Sequence, residues 1–237
     1  MPASLSPAYV LHSRAYRDTS ALVDLLTLEH GLQRVVWRGA RGQRRKLAPQ
    51  LFVPMLVGLS GRSDLKTLTQ AEIAGRFSLL QGDTLFSGLY LNELLVRLLA
   101  SGDPQPLLFA AYQHALEQLA SAAPLEPILR RFEWQLLDLL DYGFSLQHDA
   151  NGQPVTAHQR YSWHATDGLQ PLTDPLHSDA GLPGVALLAM AADDWRAAVT
   201  LRAAKQLMRQ ALAVQLGERP LVSRSLFTRQ PPTTTGE

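Results

Sequence analysis

The chain has 237 residues, 46% of them hydrophobic and 18% charged, with a formal net charge of +1 and no cysteine. That composition supports one large or two small domains with sizeable cores and excludes wholesale disorder. The lack of cysteine excludes a disulfide scaffold, an iron–sulfur cluster, a cysteine nucleophile and a thiolate zinc site.

The first residues, MPASLSPAY, lack the basic segment and apolar run of a secretory signal. No stretch approaches the ~20 apolar residues of a membrane span, so a soluble, cytoplasmic protein is expected. Residues 8–75 read as β-structure. AYVLHS (8–13), SALVDLLTLEHG (20–31) and LQRVVWRGA (32–40) supply three strands, with His30-Gly31 as a turn. FVPMLVGLSG (52–61) and LKTLTQAEI (65–73) pair across GRSD. The last alternates cleanly, Leu65, Thr67 and Thr69 on one side and Lys66, Leu68 and Gln70 on the other. Alternation elsewhere is imperfect, as where strands curve into a barrel. Five strands in fewer than 80 residues suit a small barrel. ARGQRRKLAPQL (40–51) is a short helix or a loop.

The period then changes to that of helices. LFSGLYLNELLVRLL (85–99) is apolar on nearly every face, and PLLFAAYQHALEQLA (106–120) has Pro106 in its first turn. ILRRFEWQLLDLLDYGFSL (128–146) carries Leu129, Phe132, Leu136, Leu139 and Leu140 on one stripe, with Gly143 expected just past its end. Residues 147–178 are loop-rich, with a short strand pair expected between PVTAH and RYSWHA. Helices follow at 182–195 and 200–217, stopped by Gly217, and the tail 229–237 is expected to be disordered. The fold class is therefore α+β: a β-barrel module over 1–80, then an α-helical module over 81–228 with a loop-rich insertion at 147–178.

The near-neutral total hides an asymmetry. Residues 1–80 hold eleven basic and five acidic residues, a net +6, and the remainder carries −5. A basic module that meets a polyanion, joined to an acidic module with another task, is one reading; an uneven solvated surface is the other. The candidate nucleic-acid contacts are Arg14, Arg17, Arg34, Trp37, Arg38, Arg41, Arg44, Arg45, Lys46 and Lys66. Cations on a strand-linking loop follow a phosphate backbone without demanding a sequence. Trp37, Tyr16, Tyr9 and Phe52 could stack bases; alternatively Tyr9 and Phe52 belong to the core.

No motif of an enzyme is present: there is no GxGxxG, GxxxxGK[ST], GxSxG or HExxH. His148, Asp149, His158, His164 and His177 are spaced too loosely for a typical metal site and read as solvated loop residues. Arg202, Lys205 and Arg209 form one basic stripe opposite Leu201, Met208 and Leu212, suited to clamping a carboxylate-bearing peptide. Ion pairing of the helical module's arginines with Glu133, Asp138 or Asp193 is the alternative.

Five collinear blocks carry a resemblance: YVLHSRAYRDTSALVDLLTLEHGLQRVVWRGAR (9–41), GRSDLKTLTQAE (61–72), LFSGLYLNELLVRLL (85–99), LRRFEWQLLDLLDYG (129–143) and LRAAKQLMRQAL…GERPLVSRSLF (201–227). Together they resemble the bacterial RecO family of recombination mediators. The resemblance implies an N-terminal OB-fold and a C-terminal helical domain, with no covalent chemistry and no cofactor. It implies binding of single- and double-stranded DNA, annealing of complementary strands and help in loading RecA onto DNA coated by single-stranded DNA-binding protein (SSB), in a nucleoid-associated setting. Implied partners are the acidic C-terminal tail of SSB, RecR and, further, RecF. By position, Arg130 and Arg131 correspond to the tail-binding pocket, and stripe geometry adds Lys205 and Arg209. Some members carry a four-cysteine zinc motif after the LDYG block; here His148-Asp149 stands in its place, so the zinc site is expected to be lost. An RNA-binding barrel and a pure protein adaptor are the rival readings.

Overall fold

A computed structural model describes residues 5–43, 47–121, 123–173 and 181–228. The chain divides into two compact units. One runs to Ala123 and resumes at Pro220; the other is Pro124–Arg219.

The first unit begins with β1 (Ser6–Tyr16), β2 (Ser20–Thr27), β3 (Gly31–Trp37), β4 (Pro54–Ser60) and β5 (Leu65–Ile73). They close into a barrel in the order β1-β2-β3-β5-β4, antiparallel throughout except where β3 runs parallel to β5. This is the five-stranded OB arrangement expected from the sequence. Inward residues fall at every second position: Ala21, Val23 and Leu25 on β2, Val35 and Trp37 on β3, Met55 and Val57 on β4. Val10, Val23, Leu25 and Val35 have no accessible surface. Each such side chain stabilises the unit by roughly 1.5–3 kcal/mol through burial. Gly31 makes the β2–β3 turn possible: its φ is +61°, and a Cβ there would lie 1.8 Å from the Asp103 carbonyl oxygen. No helix forms in the described residues between β3 and β4.

Curvature is not the whole reason β2 fails to alternate. Its outward residues Leu22 and Leu26 are buried as well as its inward ones. The helices α1 (Gly82–Leu98) and α2 (Pro106–Ala120) belong to the same unit. Tyr9, on the outside of β1, packs against Phe109 and Tyr112 of α2, with ring centroids 5.4 and 5.3 Å away. A buried relay joins helix to barrel: the Tyr112 hydroxyl donates to Asn92 Oδ1 at 2.6 Å, and Asn92 Nδ2 donates to the Leu11 carbonyl at 2.8 Å. Burial pushes the Tyr112 hydroxyl well above its ordinary pKa, so it remains a donor at every physiological pH.

The chain's last described segment, a 3₁₀ turn at Ser223–Thr228, returns to α1. The Glu93 carboxylate accepts from the Val222 and Ser223 amides at 2.9 and 2.8 Å and from the Ser223 hydroxyl. Phe227 stands edge-on to Phe86, and Arg224 lies over the Tyr90 ring.

The second unit holds α3 (Leu125–Leu139), a three-stranded sheet of β6 (Arg160–His164), β7 (Gly168–Pro171) and β8 (Leu182–Pro183), then α4 (Gly184–Ala191) and α5 (Ala198–Leu216). Gly217 ends α5 with φ +65°, as expected. Gly143 does not end α3. The helix stops at Leu139 and Asp141 takes the left-handed position, φ +60°. The Tyr142 and Asp141 amides then return to the Leu137 and Asp138 carbonyls, the Schellman pattern. The pairing of β6 is also corrected: its partners are β7 and β8, while Pro154 bridges His148. The stretches 174–178 and 229–237 lie wholly outside the described residues.

Asn92→Ala removes both ends of the buried relay. We expect it to lower stability by about 1–3 kcal/mol in urea unfolding, against well under 1 kcal/mol for an exposed control such as Gln113→Ala. The C-terminal turn should respond to acid. Burial tends to raise the Glu93 carboxyl, but the Ser223 and Val222 hydrogen bonds and nearby Arg97 outweigh it and hold the pKa below the ordinary value. A depressed folded pKa stabilises above the unfolded value of about 4.3 and is lost as pH falls through the folded one. The protection factors of the Val222 and Ser223 amides, taken relative to intrinsic exchange at each pH, should therefore fall below about pH 4, and Glu93→Ala should show the lowered protection already at neutral pH.

Candidate functional site

Strand register decides what the outer barrel surface presents. The β1–β2 pairing skips Leu11, passing from Val10↔Leu25 to His12↔Asp24. That bulge re-aims the strand, so His12, Arg14 and Tyr16 face outward opposite Asp24, Leu22 and Ser20. On β3 the matching outward residues are Arg34 and Val36, and β5 adds Leu65 and Thr67 beside them.

At one end of this surface lies a cleft of about 420 Å³ lined by Tyr16, Arg17, Val36, Arg38, Leu65 and Lys66, among others. Tyr16, Val36 and Leu65 form a partly apolar floor; Leu65 is 40% exposed. Arg17 and Arg38 are exposed cations at the rim. The Arg17 guanidinium stands 5.2 Å from the centroid of the Tyr16 ring. Lys66 lies at the barrel's end, its Nζ donating to the Gly61 carbonyl at 3.2 Å. The two bounding loops are tied together: the Arg41 amide donates to the Thr19 carbonyl at 2.8 Å and its guanidinium to the Arg17 carbonyl at 3.4 Å. Aromatic ring, apolar floor and cationic rim together suit an unpaired base with its phosphate.

Arg17 holds φ at +52°, uncommon for a non-glycine residue. The β1–β2 turn thus keeps a mildly strained backbone at the point where its side chain meets Tyr16.

The expected contacts divide. Arg14, Arg17, Arg38 and Arg41 are exposed, and Lys66 is half-buried along the cleft. Arg34 is exposed but engaged: its Nε donates to Asp24 Oδ1 at 2.7 Å, which raises the guanidinium pKa. His12 Nδ1 approaches the other Asp24 oxygen at 3.7 Å. Trp37 is corrected: it is 7% exposed, packs in the barrel core and offers no stacking face. Tyr9 and Phe52 are likewise buried, leaving Tyr16 as the aromatic of the cleft. Arg44, Arg45 and Lys46 lie outside the described residues.

In the second unit Arg130 is 9% exposed and its Nη1 donates at 2.6 Å to Glu133, which has no accessible surface. This is an internal pair of a buried carboxylate, not a free clamp. Arg131 is partly exposed and donates from Nη2 to Asp193. Lys205 and Arg209 are exposed on α5, as expected, with Lys205 Nζ 3.8 Å from Glu126. Among the described residues no group of three or more His, Asp or Glu could hold a metal, and His177 lies outside them. Phe144 instead packs between Trp134 and Trp163, with centroids at 5.3 and 5.1 Å. No described helix is long and apolar enough to cross a membrane.

Val36 and Leu65 were missed as parts of the site because apolar strand residues read as core until register turns them outward. The counterions Asp24 and Glu126 carry no local sequence signal, since the distances in question are between strands or helices.

Two family models match the chain: Recombination protein O N terminal over residues 1–77 and Recombination protein O C terminal over 79–225. The DNA repair protein RecO of Pseudomonas paraeruginosa is 53% identical over 226 residues, 95% of each chain. That of Pseudomonas putida is 51% identical over 224 residues, 94% of this chain and 97% of the relative. That of Stutzerimonas stutzeri is 52% identical over 222 residues, 93% and 92% respectively.

Arg17→Gly should leave the fold as stable or up to about 1 kcal/mol more stable, because glycine accepts the left-handed backbone. The same variant should bind single strands several-fold more weakly, measured by fluorescence anisotropy at low salt. Arg130→Ala should destabilise the second unit by about 1–3 kcal/mol in urea unfolding, since it removes a charged donor from the buried Glu133.

Proposed function

The chain belongs to the RecO family of DNA repair proteins, and from that premise we propose that it acts in DNA repair as a recombination mediator. In this reading the barrel binds single- and double-stranded DNA and brings complementary strands together. The second unit docks on the acidic C-terminal tail of SSB, and with RecR, and RecF as a further partner, the protein assists RecA onto SSB-coated DNA. No covalent chemistry is needed. Neutralised phosphates release counterions, and two polyanions that repel one another can then pair. Docking on a protein already seated on the strand raises the local concentration of the annealing surface.

The observation that carries this reading is the barrel cleft, where the Tyr16 ring and the Val36–Leu65 floor lie inside a rim of Arg17, Arg38 and Lys66. A ring beside an exposed guanidinium and two more cations suits a base with its phosphate better than a plain docking surface. The cleft's charge and ring do not distinguish ribose from deoxyribose, so RNA is the rival ligand and competition between matched oligomers separates the two. For the tail, the placement of Arg130 against Glu133 moves the proposed contacts to Arg131, Lys205 and Arg209.

Annealing of complementary oligonucleotides, with and without SSB, tests the proposal. The rate should fall by orders of magnitude between about 50 and 200 mM salt if roughly 6–10 phosphates are contacted. Arg17→Glu with Arg38→Glu should abolish annealing of naked strands while leaving capture by an SSB-tail peptide intact. A rate indifferent to salt, or equal loss of both activities, counts against it.

A further inference from the structure

The helix α4 ends in the same way as α3. The Asp194 and Asp193 amides return to the Ala189 and Met190 carbonyls, and Asp193 takes the left-handed position with φ +55°. On backbone grounds this position favours glycine. What aspartate adds is a carboxylate with two engagements: one oxygen accepts from Trp195 Nε1 at 2.7 Å, the other from Arg131 Nη2.

The Arg131 contact is unlike a fixed structural pair. Both side chains are solvated, Arg131 at 34% and Asp193 at 53% relative exposure. Asp193 meets the guanidinium through one nitrogen, and Arg131 Nε is a buried nitrogen that has no hydrogen-bond partner among the described residues. A guanidinium binds a carboxylate best through two parallel hydrogen bonds, so this arginine is held but not saturated. If Asp193 is displaced, its carboxylate keeps Trp195, so release leaves no orphaned charge. The Arg130–Glu133 pair is the contrast, since Glu133 has no accessible surface and nowhere to go.

We infer that Asp193 is a resident carboxylate that occupies Arg131 in place of an incoming one and sets which acidic peptides the second unit accepts. This rests on the reading that Arg131 contributes to a tail site. A ligand must outcompete an internal carboxylate present at high effective concentration. A peptide with a single acidic group does so poorly. One with consecutive acidic residues offers several carboxylates in succession to the one guanidinium, so its local concentration against Asp193 is higher. Asp193 is thus a selectivity residue: it lowers affinity for every acidic ligand and disfavours sparse ones most.

Two synthetic peptides of equal length serve as probes, each ending in phenylalanine, one with consecutive aspartates and one with a single aspartate. Binding to the full chain is measured by calorimetry at low salt. Asp193→Asn keeps the Trp195 acceptor and tolerates the left-handed backbone; Asp193→Gly suits that backbone better still, so neither variant should unfold the unit. Both should bind the single-aspartate peptide about tenfold more tightly than the parent and narrow the ratio between the peptides. Unchanged or weakened binding in both variants, with unfolding midpoints retained, overturns the inference. Arg131→Ala separates the two levels of the argument. If it leaves tail-peptide binding unchanged, the tail site itself is misplaced; if it removes binding while the Asp193 variants gain nothing, only the role of Asp193 fails.

Discussion

One extra residue in β1, at Leu11, divides the barrel's outer surface into two territories. Before it, Tyr9 faces Phe109 and Tyr112 and is buried; after it, His12, Arg14 and Tyr16 face outward. Without the bulge the alternation begun at Tyr9 would run on unbroken, and Leu11, Ser13 and Ala15 would face outward in place of His12, Arg14 and Tyr16. Much else depends on that step. The buried relay through Asn92 ends on the carbonyl of the bulged residue itself, so the helices are fastened to the barrel at the point where its surface changes character.

The polar half of that surface is not uniformly cationic. Asp24 sits between His12 and Arg34 and takes up the charge of that rung, so the free arginines lie toward the Tyr16 end. A barrel cannot present arginine on every rung without mutual repulsion, and Asp24 relieves it at the end nearest the helices. The result is a gradient along the strands: apolar under α2, neutralised at Asp24, cationic at Arg17 and Arg38.

The sequence makes the barrel legible because its signal is local. Short runs, punctuated by His30-Gly31 and GRSD, yield strand count, order and approximate ends, and the Gly217 stop is equally plain. What escapes is whatever depends on a second surface. Trp37 has the composition of a stacking platform and the position of a core residue, and only its inward parity on β3 decides between them. Gly143 looks like a helix stop, yet Asp141 two residues earlier takes the left-handed position, as aspartate is able to do. Arginines on an amphipathic helix look alike in a string of letters. Arg130 is locked to a buried glutamate while Arg131 meets a solvated aspartate 62 positions away, and that difference lies in the burial of the partner.

The Glu93 clip carries a consequence for how the molecule is made. Its partners are separated from it by 129 and 130 positions, and the entire second unit intervenes. On the ribosome the barrel and α1 emerge before the second unit, but their closing contact waits until that unit has been made. The first unit therefore cannot finish folding before the second has been synthesised, and a nascent chain stalled anywhere in the second unit leaves α1 with its glutamate unclipped.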